Sequence, residues 1–326
     1  MKKIFSALLT LSLSAGLLTA CNTAENQKKT NENPSAETKE GNQAAFPLKI
    51  KDATGKEVTI KQEPKRIVSL IPSNTEVAYD LNLGKEIVGV SNFDNYPADV
   101  SKKEKVGDAQ KVNVEKIIGL KPDLVLAHES SLNSSGDSLD QLKNAGISVV
   151  VVNDAETFSA VYQSIEMVGK ATGKSKEAKD IIAKMKEKIS SVKEKAKSIP
   201  QDKQKRVYVE ISPSPDIYTA GKGTFIDEIL TDIGAKNAAA DLKGWAKISE
   251  EAAVKLNPDS IITTYGYYIK DPIKQVSGRK GWENVSAVKN KDIVDVNSDQ
   301  VTRPGPRLAE GVEELAKVIY PDIYKK

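Results

Sequence analysis

The stretch Glu115-Lys-Ile-Ile-Gly-Leu-Lys-Pro-Asp-Leu-Val-Leu126 recurs 136 residues later as Glu251-Ala-Ala-Val-Lys-Leu-Asn-Pro-Asp-Ser-Ile-Ile262. Glu, Leu, Pro and Asp keep their spacing in both copies (Glu115/Glu251, Leu120/Leu256, Pro122/Pro258, Asp123/Asp259). Each copy reads as a short helix, a Pro-Asp turn and an apolar strand. Upstream, Arg66-Ile-Val-Ser-Leu-Ile-Pro72 parallels Arg206-Val-Tyr-Val-Glu-Ile-Ser-Pro213, each an apolar strand running into turn residues. A helical stretch follows in both places and closes at Leu83-Gly84 and at Ile233-Gly234, where glycine is the expected C-cap. Strands alternating with helices in both halves predict an α/β fold of two lobes with mainly parallel sheets flanked by helices.

Between the copies, apolar residues fall at 178, 181, 182, 185, 189, 192, 196 and 199, with Lys and Glu filling most other positions. This stripe predicts one helix over 175–199, roughly 37 Å long. A helix in this place is a rigid strut between a lobe at 48–174 and a lobe at 200–326. It implies small opening motions and a largely preformed cleft between the lobes.

The chain has 326 residues, 39% hydrophobic and 29% charged, enough for two lobes of ordinary size. Its net charge of +3 gives no basic footprint for nucleic acid and no acidic tail. One Cys and one His exclude an intrachain disulfide and any zinc site built from several of either residue. The N-terminus carries Lys2-Lys3, an apolar run from Ile4 to Leu18, and Leu18-Thr-Ala-Cys21. A basic start, a short apolar segment and small residues before a cleavage point make a signal peptide over 1–20. The tetrapeptide resembles a bacterial lipobox, which implies cleavage before Cys21 and a diacylglycerol on its sulfur. Residues 21–47 are polar and predict a disordered tether with an r.m.s. reach of about 28 Å. Cys21 is thus an anchor and leaves the folded part without a thiol.

Two motifs come close to nucleotide-binding fingerprints and miss. Gly169-Lys-Ala-Thr-Gly-Lys-Ser175 is one residue short of a phosphate loop and lacks a preceding strand, so a helix end and a helix start explain it. Gly221-Lys-Gly223 lacks a third glycine and reads as a turn. His128 sits at the C-terminal end of a predicted strand, where open α/β sheets place ligands. A Ser–His–Asp hydrolase built around it has no nucleophile signature and stands as the minor alternative.

Taken together, these segments resemble one family: substrate-binding lipoproteins of ABC importers for ferric siderophores and cobalamin. The resemblance runs from about 48 to 326. It also rests on Arg66–Glu76, on Gly89-Val-Ser-Asn-Phe-Asp-Asn-Tyr-Pro97, on Tyr218-Thr-Ala-Gly-Lys222 and on Gly281-Trp-Glu-Asn-Val285. It implies a binding protein and not an enzyme, held on the outer face of the cell membrane of a bacterium without an outer membrane. The partners it implies are a permease dimer with its ATPase subunits, approached as a monomer. Glu115 and Glu251 match the acids that dock onto the permease; Asn113 and Ser249, two residues earlier, would cap the same helices, leaving each acid to complement the helix dipole.

Ligand-binding candidates lie in loops after the strands. In the first lobe they are Ser73, Asn74, Phe93, Tyr96, Gln110 and His128. In the second they are Tyr218, Lys222, Trp245, Tyr265, Tyr267, Tyr268 and Arg303. The run Tyr265-Gly-Tyr-Tyr268 is a local excess in a chain with 5% aromatics, and such rings suit a corrin rim or a catecholate. Arg303 suits an anionic ferric complex. Ala109 and His128 stand where cobalamin receptors of the family would offer tryptophans, which favours an iron–siderophore complex, with cobalamin second. A metal would arrive already chelated, and the chain needs no cofactor of its own.

Overall fold

The computed structural model describes residues 45–324. The signal peptide (1–20), Cys21 and the tether as far as residue 44 lie outside the described residues. Among those described, no helix is long and apolar enough to cross a membrane.

In the first lobe, β1 (Leu48–Lys51) and β2 (Glu57–Ile60) pair as an antiparallel hairpin. The strands β3 (Ile67–Ser69), β4 (Ile87–Val90), β5 (Glu104–Lys105), β6 (Leu124–His128) and β7 (Ser148–Val152) form a parallel sheet in the order β5-β4-β3-β6-β7. The connecting helices are α1 (Pro72–Asp80), α2 (Val114–Gly119), α3 (Leu132–Asn144) and α4 (Phe158–Ala171). Alternation along β6 sends Leu124 and Leu126 into the core shared with α1 and α4, and Val125 and Ala127 into the one shared with α2 and α3. A sheet buried on both faces explains why these strands read as unbroken apolar runs.

The helix α5 (Ser175–Ala196) leads to the second lobe, whose strands are β8 (Arg206–Ser212), β9 (Tyr218–Ala220), β10 (Lys236–Asn237), β11 (Trp245–Lys247), β12 (Ser260–Thr263) and β13 (Ile293–Asp295). Their order is β11-β9-β8-β12-β13, with β10 also on β8. This sheet is mixed: β10, β12 and β13 run parallel to β8, whereas β9 and β11 form antiparallel pairs. Its helices are α6 (Phe225–Asp232), α7 (Glu250–Leu256), α8 (Pro272–Ser277), α9 (Ser286–Lys289), α10 (Ser298–Val301), α11 (Leu308–Ile319) and α12 (Pro321–Tyr324). The apolar residues of α6 and α11 join the same core as α1 and α4, and those of α7, α8 and α9 a separate one.

The sequence repeat is a repeated structural joint. Lys121 and Asn257, each just before the Pro-Asp pair, are left-handed with φ of 49° and 41°. The following aspartate then caps the start of the neighbouring strand. Asp123 accepts from the backbone N–H groups of Lys65 and Arg66 at 3.0 and 3.1 Å, and Asp259 from that of Arg206 at 2.9 Å. The joint thereby locks β6 to β3 and β12 to β8 at the same register in each lobe.

The strut forms, ending at Ala196 and followed by a turn to Ile199, so it is a little shorter than the sequence pattern suggests. Ala178, Ile182, Met185, Ile189, Val192, Ala196 and Ile199 are buried, and they belong to one apolar core that takes in α1 and α4 on one side and α6 and α11 on the other. At its start, Gly173 (φ 73°) and the Lys174 N–H to Gly169 O bond end α4, so the near-miss phosphate loop is a helix–helix elbow. The first expected glycine cap is corrected. Asn82 (φ 62°), not Gly84, makes the left-handed turn after α1, while Gly84 leaves room for the Tyr79 ring, which an added Cβ would meet at 2.6 Å. Gly234 (φ 79°) does cap α6, with the Ala235 N–H donating to Leu230 O.

Candidate functional site

Strand order reverses between β3 and β6 in the first lobe, and the crevice at such a reversal, off the C-terminal strand ends, is where open α/β sheets take ligands. The segments at the ends of β3, β4, β6, β12 and β13 carry most of the sequence candidates, while Gln110 follows β5 and Tyr218, Lys222 and Trp245 lie on or beside β9 and β11. A cavity of about 420 Å³ joins the two lobes there, lined by Asn95 from one and by Tyr267, Asp295, Val296, Asn297, Ser298 and Asp299 from the other. A larger depression of about 520 Å³ lies between β1 and α4, lined by Lys49, Lys51, Glu166 and Lys170 and by Asn153 after β7.

Exposed aromatic rings stand on the candidate loops, and one of them, Tyr267, lines the cavity. Phe93 is 65% exposed and Tyr267 78% exposed. Tyr96, Tyr218 and Tyr268 are also exposed, and Trp245 is half-buried with its ring edge-on to Phe225 at 5.2 Å. Tyr267 and Tyr268 contact each other at 4.7 Å. Their loop is fixed from below. Asp295 accepts from Thr263 Oγ1 (2.7 Å) and from the Gly266 N–H (3.1 Å), and a Cβ on Gly266 would collide with the Asp295 carboxylate. Gln110 and Lys222 are exposed on neighbouring turns.

Two candidates are corrected by burial. Tyr265 has no exposed surface: its hydroxyl donates to Glu210, which also holds Arg279 through a bidentate pair at 2.6 and 2.7 Å. Tyr265 is therefore the pedestal of the Tyr267–Tyr268 loop and not a ligand contact. Asn74 is 2% exposed and donates from Nδ2 to Ala127 O, so it ties α1 to the end of β6. Ser73 is nearly as buried, at the first turn of α1.

Arg303 is corrected by its partners. Its guanidinium donates to Glu76, to Asn95 Oδ1 (3.0 Å) and to Asp299 (2.6 Å). Arg307 donates to the same Glu76 at 2.6 and 2.9 Å and lies 4.0 Å over the Tyr96 ring. Asn95 Nδ2 donates to Asp299 at 2.7 Å. Two carboxylates and two guanidiniums thus close on one another across the cleft, and Glu76 and Asp299 balance the charge of Arg303. Sequence reading missed Glu76, Asn95, Asp299 and Arg307. The available signal was α1 itself, a helix whose residues Ser73 to Glu76 are polar and all buried.

His128 closes β6 and is 5% exposed. Its Nδ1 accepts from the Ser130 N–H (3.2 Å) and lies 2.9 Å from Ser130 Oγ, a local turn contact that caps the following 3-10 turn. Nε2 lies 4.0 Å from Asp154. Burial lowers the histidine pKa, with the carboxylates of Asp154 and Glu129 acting against it, so the ring is neutral at pH 7. A Ser, a His and an Asp are thus neighbours, but the basic nitrogen is occupied by a backbone N–H and the acid is beyond hydrogen-bond reach.

Glu115 and Glu251 occupy the second position of α2 and α7. The caps are Asn113, accepting from the Lys116 N–H, and Ser249, accepting from the Ala252 N–H. Both glutamates are exposed, and α2 and α7 pack outside the core that contains the strut.

Known proteins share this architecture. An uncharacterized ABC transporter substrate-binding lipoprotein of Bacillus subtilis (strain 168) is 52% identical over 326 residues, the whole of both chains. A cobalamin-binding protein of Halobacterium salinarum is 30% identical over 285 residues, 85% of this chain and 75% of that one. The crystal structure of a possible iron-binding (periplasmic solute-binding) protein of Staphylococcus epidermidis superposes with a TM-score of 0.70 at 43% identity, covering 79% of this chain and 100% of that one. The family model for periplasmic binding proteins matches residues 67–300, from the first strand of the parallel sheet into α10, and the chain belongs to that family.

Proposed function

We propose that the chain is the substrate-binding component of an ABC importer and that its ligand is a corrinoid of the cobalamin class. Members of this family bind solutes and are not enzymes. The observation that carries the ligand class is the engagement of Arg303 and Arg307 by Glu76. With both guanidiniums so held, the cavity wall offers amides, a hydroxyl, aromatic faces and two carboxylate acceptors: Asn95, Asn297, Ser298, Tyr267 and the nearby Tyr96, with Asp295 and Asp299. A corrinoid is a flat macrocycle fringed with neutral carboxamides, which such a wall suits by stacking and hydrogen bonding. The relative at 30% identity that is named for cobalamin agrees with this choice. Phe93 and Tyr218, both exposed, and the half-buried Trp245 would add further aromatic contacts.

A ferric siderophore is the second reading, supported by the similarity to the Staphylococcus epidermidis protein described as possibly binding iron. Gel filtration of the folded region with cyanocobalamin separates the two. Co-elution of stoichiometric corrin absorbance supports the first reading; co-elution of a ferric siderophore without corrin retention supports the second.

Delivery follows from the same reading. Glu115 and Glu251 sit at equivalent places on the two lobes, and because Asn113 and Ser249 already cap the helices, the acids remain available for basic residues of a permease dimer. Cys21, acylated, would keep the binding protein at the outer membrane face, with the polar segment up to 47 as its tether and a monomer as the working unit. An ATPase on the inner side would drive release into the permease.

A further inference from the structure

Only five arginines occur in the chain, and the two beside the interlobe cavity, Arg303 and Arg307, share one acceptor, Glu76. Glu76 is 2% exposed and comes from α1 of the first lobe, while both arginines come from the stretch before α11 of the second. Asp299 takes the other side of Arg303 and reaches Asn95, so the cluster balances two acids against two bases. Asn95 and Asp299, both bonded to Arg303, also line the cavity, which sets the cluster against its wall. A buried ion cluster is a weak source of stability compared with apolar packing of the same volume, so a structural tie alone is a poor account of it. Its effect on the cavity is direct: it holds two guanidiniums on acids of the chain, and with Asp295 in the cavity wall it leaves no excess positive charge there.

We infer that Glu76 is a specificity-determining residue, which cancels guanidinium charge beside the cleft and so selects an uncharged chelate over an anionic one. This rests on the corrinoid reading above, which it explains at the level of one side chain. Glu76→Gln leaves one positive charge in excess within the cluster. Arg307→Gln leaves one negative charge in excess. The double variant restores the balance with the lobes still joined through Asn95, Asp299 and Arg303.

Two readouts test the inference. In the first, affinities for cyanocobalamin, which is neutral, and for a ferric tris-catecholate complex of charge 3− are compared. E76Q is expected to move the ratio at least tenfold toward the anion, R307Q to move it the other way, and E76Q/R307Q to return it close to that of the parent chain. Equal losses for both probes in E76Q would mean that Glu76 only joins the lobes, and would overturn the inference. The second readout needs no ligand. With Tyr267→Trp as a reporter in the cavity, quenching by iodide relative to neutral acrylamide is expected to rise in E76Q, fall in R307Q and recover in the double variant. An unchanged iodide-to-acrylamide ratio across the series overturns the inference even if one variant is poorly folded, because R307Q and the double variant report separately. If the parent chain binds neither chelate while the quenching series behaves as stated, the corrinoid reading fails and the charge-screening role of Glu76 stands.

Discussion

Asp80 lies one turn beyond Glu76 and shows how the charge cluster reaches past its own members. Burial, with the carboxylates of Glu76 and Glu310 adding repulsion, pushes Asp80 up to about 6. Below an unfolded pKa near 3.8 both states are protonated; between there and 6 the folded chain holds a proton that the unfolded chain releases. Ionised Asp80 therefore costs stability as pH rises, fully above 6. Asp80→Asn should raise the melting temperature at pH 7.5 and leave it nearly unchanged at pH 3.5; an equal shift at both values would contradict the assignment. At the same scale, charge reversal of Glu115 and Glu251 together should abolish uptake by intact cells while leaving cyanocobalamin affinity within about twofold. Undiminished uptake by that variant would remove the docking role. Single residues were also where sequence reading reached its limit. Arg303 was recognisable as a cleft arginine, but the acid that claims it is 227 residues away, a separation no local pattern encodes. Tyr265 failed for a related reason: a tyrosine after a strand looks the same whether its ring faces a ligand or a buried Glu210–Arg279 pair.

Among elements, the strut and its elbow carry the most information, and most of it could be read in advance. Every buried position on α5 belongs to the apolar stripe visible in the sequence, because a 3.6-residue period imposes one face on any helix against a core. The end of α1 was less legible, since both Asn and Gly adopt left-handed turns and only the geometry at Asn82 distinguishes them. Two substitutions examine this level. Ile189→Ala removes a buried side chain from the middle of the strut and should cost roughly 2–5 kcal/mol, read from denaturant midpoints. Gly169→Ala places a Cβ 2.5 Å from that of Ala178, where α4 meets α5, and should cost about 1–3 kcal/mol. A neutral Gly169→Ala would show that the elbow relaxes freely, contrary to a rigid joint.

At the scale of the whole molecule, one apolar core runs from α1 and α4 through α5 to α6, α11 and α12. The lobes are thus joined by a shared interior and, across the cleft, by the Glu76 cluster, which leaves little freedom for wide opening. Thermal unfolding should show one transition, with near-ultraviolet signals from Trp245 and Trp282 lost together with the helical signal. Two separated transitions would mean that the lobes are independent. The sequence repeat foretold two lobes of like construction. What it left open was the charge of the cleft, because that depends on which buried groups cancel. The most direct measurement is a tryptophan-fluorescence titration with cyanocobalamin and with an anionic ferric siderophore, using Trp245→Phe as control for the Trp245 contribution. The account predicts a sub-micromolar dissociation constant for cyanocobalamin and binding at least about 100-fold weaker for the anion; tighter binding of the anionic ferric complex would contradict it.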